Sequence, residues 1–240
     1  MRKVYLVGAG PGDLELITLK GLNLIKRADV VIYDRLAGED LLKHAKKEAE
    51  LIYVGKRTGK HTFTQAQIND MLVKKAKEGR IIVRLKGGDP LVFGRGGEEL
   101  RVLKKAGIAF EVVPGVTSAI AVPALANIPL TDRRCASSFT IVTGQEDPTK
   151  EERIDYGSLN ADTIVILMGV KNLPRIIEQM LKTRSRDTPV AVIEEGTTKK
   201  QRVIEGTLGD IVEKAKKEGV KPPAITVVGE VVKLRKEFEG

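Results

Sequence analysis

This sequence reads as two α/β domains, residues 1–114 and 115–240, the first built on a parallel sheet and the second on a mixed sheet, with the active site expected in the interdomain cleft. Three observations lead there. β-branched runs alternate with helical patterns up to residue 113, and repetition of strand, helix and strand implies a parallel sheet covered on both faces. The Pro114-Gly115 pair then interrupts the alternation. Beyond it, closely spaced strands flank Gly196 as in a hairpin, a connection that joins antiparallel strands only.

The strand-like runs of the first half are Lys3 to Val7, Val30 to Tyr33, Leu51 to Val54, Ile81 to Leu85 and Phe110 to Val113. The segments between them are helix-like. The clearest helix opens with Thr64 and Gln67, spaced as a capping box in which each side chain satisfies the other's backbone N–H. It carries Ile68, Met71, Leu72 and Ala76 on one face before Gly79 ends it. A helix of small residues is expected near Thr117 to Ala126. Strands then resume at Phe139 to Thr143, Ile164 to Met168, Val190 to Ile193, Arg202 to Glu205 and Ile225 to Val228.

Apolar residues make up 42% of the 240, enough for a sizeable core, and this composition excludes a disordered chain. Cys135 is the sole cysteine, so no intramolecular disulfide is possible, and with two histidines no metal site is expected. A reducing cytoplasm suits that usage. The N-terminal apolar run is too short for a signal peptide, and no stretch approaches the roughly 18 apolar residues of a membrane span. Neither secretion nor a membrane partner is expected.

The net charge is +9 and lies almost wholly in the first half: 22 basic and 14 acidic residues precede Gly115, whereas 19 and 18 follow. Two readings fit. Lys43, Lys46, Lys47 and Lys74, Lys75, Lys77 could be solvated helix faces, or the N-terminal half could hold an anionic partner. Nucleic acid is not the expected anion, because the aromatic interleaving of a single-strand binder and every recognised nucleic-acid motif are missing. A polyanionic small molecule satisfies the same charge.

Two glycine-rich loops follow strands. Gly8-Ala9-Gly10-Pro11-Gly12-Asp13 invites a dinucleotide-binding reading, which its spacing does not support. Asp13 stands where the fingerprint needs its third glycine, beside a helix N-terminus where an acid would repel a pyrophosphate, and Pro11 removes an amide donor. A tight turn and a loop abutting a ligand both remain open. The second loop places five glycines between Gly87 and Gly97, interleaved with Asp89, Arg95 and Glu98, at the end of a parallel strand where open α/β sheets bind ligands. Adjacent glycines let backbone approach a ligand closely, and Asp89 could accept from sugar hydroxyls or an ammonium group.

The longer motifs carry a resemblance. GAGPGDLELITLKG at the start, YDRL at Tyr33, VRLKGGDPLVFGRGGEE at Val83, PGVTSA at Pro114, IPLTDR at Ile128, TGQ at Thr143, MGV at Met168, EEGTTKKQRV at Glu194 and PAITVVGEVV at Pro223 together resemble the uroporphyrinogen-III C-methyltransferases, within the tetrapyrrole methylase family. The resemblance spans essentially the whole chain. Asp132 and Gln145 depart from it, since similar members often carry histidine at both positions.

The resemblance implies transfer of two methyl groups from S-adenosyl-L-methionine to carbons C2 and C7 of uroporphyrinogen III, giving precorrin-2 and S-adenosyl-L-homocysteine, for siroheme or cobalamin synthesis. It implies no metal, and it implies a homodimer. By matching motifs, the donor site would take Pro11, Gly87, Gly88, Asp89, Val92, Thr117 and Ser118, then Met168, Gly196 and Ala224. Arg95, Glu98 and Arg133 would hold the polycarboxylate substrate. Asp34, Lys56 and Arg95 match positions given acid and base roles. Asp34 is the preferred proton acceptor, because an arginine with a normal pKa above about 12 is a poor base. A purely local turn role for Asp34 and a solvated Lys56 stay open, as do an RNA-directed relative and a dinucleotide oxidoreductase.

Overall fold

The computed structural model describes residues 3–55, 63–78 and 80–238. The chain divides into two compact units, residues 1–117 and 118–240.

The first unit contains β1 (Lys3–Gly8), α1 (Leu19–Arg27), β2 (Val30–Tyr33), β3 (Glu50–Tyr53), α2 (Gln65–Lys77), β4 (Ile81–Lys86), α3 (Gly96–Lys105) and β5 (Ala109–Val113). All five strands run parallel in the order β3-β2-β4-β1-β5, as the alternation of strand and helix leads one to expect. Each face has its own core. Val4, Leu6, Val30, Ile32 and Ile82 meet Ile68, Leu72 and Ala76 of α2 and Leu103 of α3 on one side. Val7, Val31, Val83 and Leu85 meet Leu24 and Ile25 of α1 on the other. The inner strands β1, β2 and β4 are therefore largely buried on both faces, so apart from Lys3, Arg84 and Lys86 they read as near-continuous apolar runs rather than alternating ones.

Local chemistry sets the helix starts. Thr18 caps α1 by accepting from the Gly21 N–H at 3.1 Å. Thr64 and Gln67 form the expected capping box, and Ile68, Leu72 and Ala76 are the buried positions of α2, with Met71 packed partly against the same core. Gly79, expected to stop this helix, lies outside the described residues. The Lys43 segment is a 3-10 turn, Glu39–His44, rather than part of an α-helix. Gly38, at its N-cap, offers no side chain to hold the first N–H groups, and i to i+3 bonding is usual for so short a connector.

The second unit contains α4 (Ser118–Leu125), β6 (Phe139–Thr143), β7 (Thr163–Leu167), α5 (Leu173–Met180), β8 (Pro189–Glu194), β9 (Arg202–Thr207), α6 (Ile211–Lys217), β10 (Ala224–Val228) and α7 (Arg235–Phe238). Its sheet order is β6-β7-β10-β8-β9. Only β6 and β7 pair in parallel; β10 runs antiparallel to both neighbours, and β8 and β9 form the hairpin expected around Gly196. Leu173, Ile176, Ile177 and Met180 present one face of α5 to the core, the spacing of a helical stripe. Among the described residues, no helix is long and apolar enough to cross a membrane.

Candidate active site

Strands β4, β1 and β5 are neighbours, so their C-terminal ends bring three glycine segments together. Ala9 N–H donates to Lys86 O at 2.7 Å, and Gly10 and Gly88 exchange backbone bonds of 3.3 and 2.7 Å. The approach is closer than a side chain permits. A Cβ on Gly8 would sit 2.5 Å from Gly115 Cα, and one on Gly115 would sit 2.2 Å from Gly88 O. Crowding is the physical reason for glycine at positions 8 and 115, and at Gly88 the reason is a φ of 63°. Pro11 follows directly, half-buried, while Asp13 turns its carboxylate onto the Glu15 N–H at 2.9 Å and so caps a short 3-10 turn.

Asp89 is fixed within this meeting of strand ends. Its Oδ1 accepts from Leu91 N–H at 2.8 Å and its Oδ2 from Gly115 N–H at 3.1 Å, tying the loop after β4 to the segment after β5. Val92 and Thr117 are half-buried nearby in sequence. The loop then runs through Phe93 and Arg95, whose φ values of 52° and 59° put two non-glycine residues in the left-handed region. Such conformations cost free energy and concentrate at functional sites. Arg95, at the N-cap of α3, holds Glu98 through two bonds of 2.7 and 2.8 Å, so two of the three residues expected to hold substrate form one exposed bidentate pair.

Beneath that surface lies a buried ionic cluster. Because side chains alternate along a strand, Ile82, Arg84 and Lys86 share the face that packs on α2 and α3. Glu99 of α3, fully buried, accepts on Oε1 from Arg84 Nε at 3.0 Å and Lys86 Nζ at 3.0 Å. Its Oε2 has no partner among the described residues. Asp34 closes the cluster from the end of β2: Oδ2 accepts from Arg84 Nη2 at 3.2 Å, and Oδ1 from Leu36 N–H at 3.2 Å. Burial, and next the Arg84 charge, push the Lys86 ammonium below its ordinary pKa, against the pull of Glu99. Removing one member of a buried pair typically costs about 3–5 kcal/mol, because the other charge is left uncompensated.

In the second unit, the register of the sheet assembles a different group. Ala224 pairs with Glu194, and Ile225 pairs with Leu167, so the start of β10 lies between the ends of β7 and β8. Met168 and Gly196 extend from those two ends. Met168 is 48% exposed with φ 56°, and Glu195 and Thr197, on either side of Gly196, have φ values of 51° and 67°. Gly196 itself packs on α4, where a Cβ would fall 2.4 Å from Val122 Cγ1. Ser118 is the first residue of that helix. Arg133 is exposed, and its neighbour Arg134 takes Asp132 through backbone and side-chain bonds of 2.9 and 3.0 Å.

Residues 3–212 match the family model described as tetrapyrrole (corrin/porphyrin) methylases. The chain belongs to the tetrapyrrole methylase family. It is 65% identical over 235 residues to the uroporphyrinogen-III C-methyltransferase of Methanocaldococcus jannaschii, covering 97% of both chains. It is 59% identical over 236 residues to the S-adenosyl-L-methionine-dependent uroporphyrinogen III methyltransferase of Methanosarcina barkeri, covering 97% of this chain and 92% of that one. Among solved structures it is similar to the Thermus thermophilus uroporphyrin-III C-methyl transferase complexed with S-adenyl homocysteine. That likeness has a TM-score of 0.84 at 41% identity, over 97% of this chain and 99% of the other.

For this tetrapyrrole methylase, the structure brings the expected residues into distinct groups. Pro11, Gly87, Gly88 and Asp89 gather at the strand ends of the first unit, and Met168, Gly196 and Ala224 at one end of the three central strands of the second. Arg95 pairs with Glu98, and Asp34 joins the ionic cluster. Lys56 lies outside the described residues, as do Arg57, His61 and Thr62. Sequence reasoning missed Arg84, Lys86 and Glu99. The available signal was Arg84 and Lys86 at alternate positions of a strand whose every other residue is apolar.

Proposed function

We propose that this chain transfers methyl groups from S-adenosyl-L-methionine to two ring carbons of uroporphyrinogen III, giving precorrin-2 for siroheme or cobalamin synthesis. The observation that carries this reading is full-length similarity to proteins of that activity. The glycine-rich C-terminal ends of the parallel strands fit such a donor, because this is where open α/β sheets hold ligands. The charge of the first half fits a substrate with many carboxylates.

When bound, the donor supplies an electrophilic methyl on a sulfonium; the remaining work falls to the chain. We assign Pro11, Gly87, Gly88, Asp89, Val92 and Thr117 of the first unit, and Ser118, Met168, Gly196 and Ala224 of the second, to holding it. Arg95 and Arg133 hold substrate carboxylates, with Glu98 orienting the Arg95 fork. Positioning supplies most of the acceleration, since the reacting carbon is already electron-rich. Methylation of a ring carbon leaves a cation that must lose a proton from a bridging carbon. Asp34 accepts that proton: the C–H bond breaks, its electron pair returns to the ring system, and the carboxylate becomes a carboxylic acid that later gives the proton to water. The protein acts in the cytoplasm as a homodimer, with neither nucleic acid nor membrane as partner.

Anaerobic incubation with S-adenosylmethionine and uroporphyrinogen III tests the reading. The expected product is heavier by two methyl groups, with S-adenosylhomocysteine formed in step. No mass change in a folded, donor-binding preparation would overturn it.

A further inference from the structure

The carboxylate assigned to proton removal is held by a group that substrate does not reach. Arg84 is 3% exposed, near the middle of a parallel sheet, on a face that carries Val4, Leu6, Ile32 and Ile82 beside Lys86. An apolar residue would serve packing better, since a buried ion pair is often no more stable than its hydrophobic replacement. A charge retained there points to another task.

Its hydrogen bonds identify that task. Nε donates to Glu99, Nη1 to the carbonyls of Leu85 at 3.0 Å and Ile32 at 3.3 Å, and Nη2 to Asp34. Four bonds in three directions fix the plane of the guanidinium. Three of the four tie it to the sheet or to α3, and the remaining one reaches outward to Asp34. Glu99 is held in turn by Lys86, and Gln65 Nε2 of α2 approaches the same oxygen at 3.4 Å. The anchor therefore rests on two helices and the central strand. Asp34 is different in kind: its side chain is 28% exposed, and with Oδ1 on Leu36 N–H and Oδ2 on Arg84, each oxygen keeps a lone pair for another partner.

We propose that Arg84 is a positioning residue for the reaction, orienting the Asp34 carboxylate that accepts the proton, with Glu99 fixing the guanidinium from below. The proposal rests on Asp34 as the base. Arg84 touches no reacting atom; it acts by holding Asp34 to one orientation, and proton transfer is sensitive to small displacements of the acceptor.

Arg84→Lys keeps a cation beside Glu99 but loses the fork that reaches Asp34. Single-turnover methyl transfer should fall by about tenfold or more, while the Kd for S-adenosylhomocysteine and the KM for uroporphyrinogen stay within about twofold. In an Asp34→Asn background the same substitution should cost no more than about twofold, because the group it orients is already gone. A wild-type rate in Arg84→Lys overturns the positioning role, as does an equal loss in both backgrounds. Asp34→Asn at wild-type rate instead removes the base itself, so the two failures are told apart. Circular dichroism checks folding; if Arg84→Lys does not fold, Glu99→Gln reads the same coupling from the other end of the guanidinium. Its loss of rate must likewise vanish in the Asp34→Asn background.

Discussion

The Gly115 N–H donates to Asp89 Oδ2 at 3.1 Å, joining the segment after β5 to the loop after β4. Because Asp89 Oδ1 holds Leu91 N–H as well, the carboxylate fixes the shape of the loop through both oxygens, and each keeps acceptor capacity for a ligand. Asp89→Ala should weaken S-adenosylhomocysteine binding by about tenfold or more, since a hydrogen bond to a charged acceptor is worth roughly 1.5–3 kcal/mol and two are lost. Asp89→Asn should also weaken it, because its NH2 group must face one of the two N–H donors. Calorimetry decides, and unchanged affinity in a folded variant removes Asp89 from donor binding.

Gly115→Ala tests the close approach itself. The added Cβ meets a backbone carbonyl, Gly88 O, at 2.2 Å, and backbone cannot rotate away as a side chain can. The melting temperature should fall, by an amount corresponding to about 1–3 kcal/mol, and donor affinity should fall with it. A variant as stable as wild type would mean that the strand ends separate without cost.

Arg133→Ala should raise the apparent KM for uroporphyrinogen, and the difference from wild type should shrink as salt is raised, because an exposed charge is screened. Donor affinity should not move. Equal losses for both ligands would assign Arg133 to holding the fold.

Glu111 carries a pH dependence. Bonds from Lys20 first and Lys3 second hold its carboxyl down from the ordinary 4.5 to about 2. A depressed carboxyl contributes stability that is complete above its unfolded value and is lost as pH falls toward its folded value. The difference in melting temperature between wild type and Glu111→Gln should therefore be constant above about pH 5 and narrow between pH 4.5 and 2. Both lysines and Glu111 are partly exposed, so the difference should also narrow with salt. A difference that stays constant down to pH 2 would dismiss the pairing.

Most of the strands were legible because the inner ones, such as β2, β7 and β8, are buried on both faces. Val30 to Tyr33 and Phe139 to Thr143 coincide with β2 and β6, and the other runs differ at their ends by a residue or two. Such runs are mostly apolar, and their β-branched residues stand out against Lys-rich helices. The glycine loops were legible for a related reason, since only crowding or unusual backbone calls for so many glycines. Arg84, Lys86 and Glu99 were not. A charged residue in sequence reads as a solvated one, and only the topology reveals that α3 returns across the β4 face and places Glu99 under two cations. Asp34 shows why its two readings could not be separated beforehand: the carboxylate serves the turn through one oxygen and Arg84 through the other.

The order β3-β2-β4-β1-β5 has a consequence for synthesis on the ribosome. β1 is made before its partners β4 and β5, which end at Lys86 and Val113. Until β4 emerges, the run from Lys3 to Gly8 has both edges unpaired, and until β5 emerges it still has one, the state in which strands join other chains. At about 5–20 residues per second, that interval lasts several seconds. The nascent chain is therefore most exposed to aggregation before its fifth strand appears, and the second unit can begin to fold only after the first has every strand it needs.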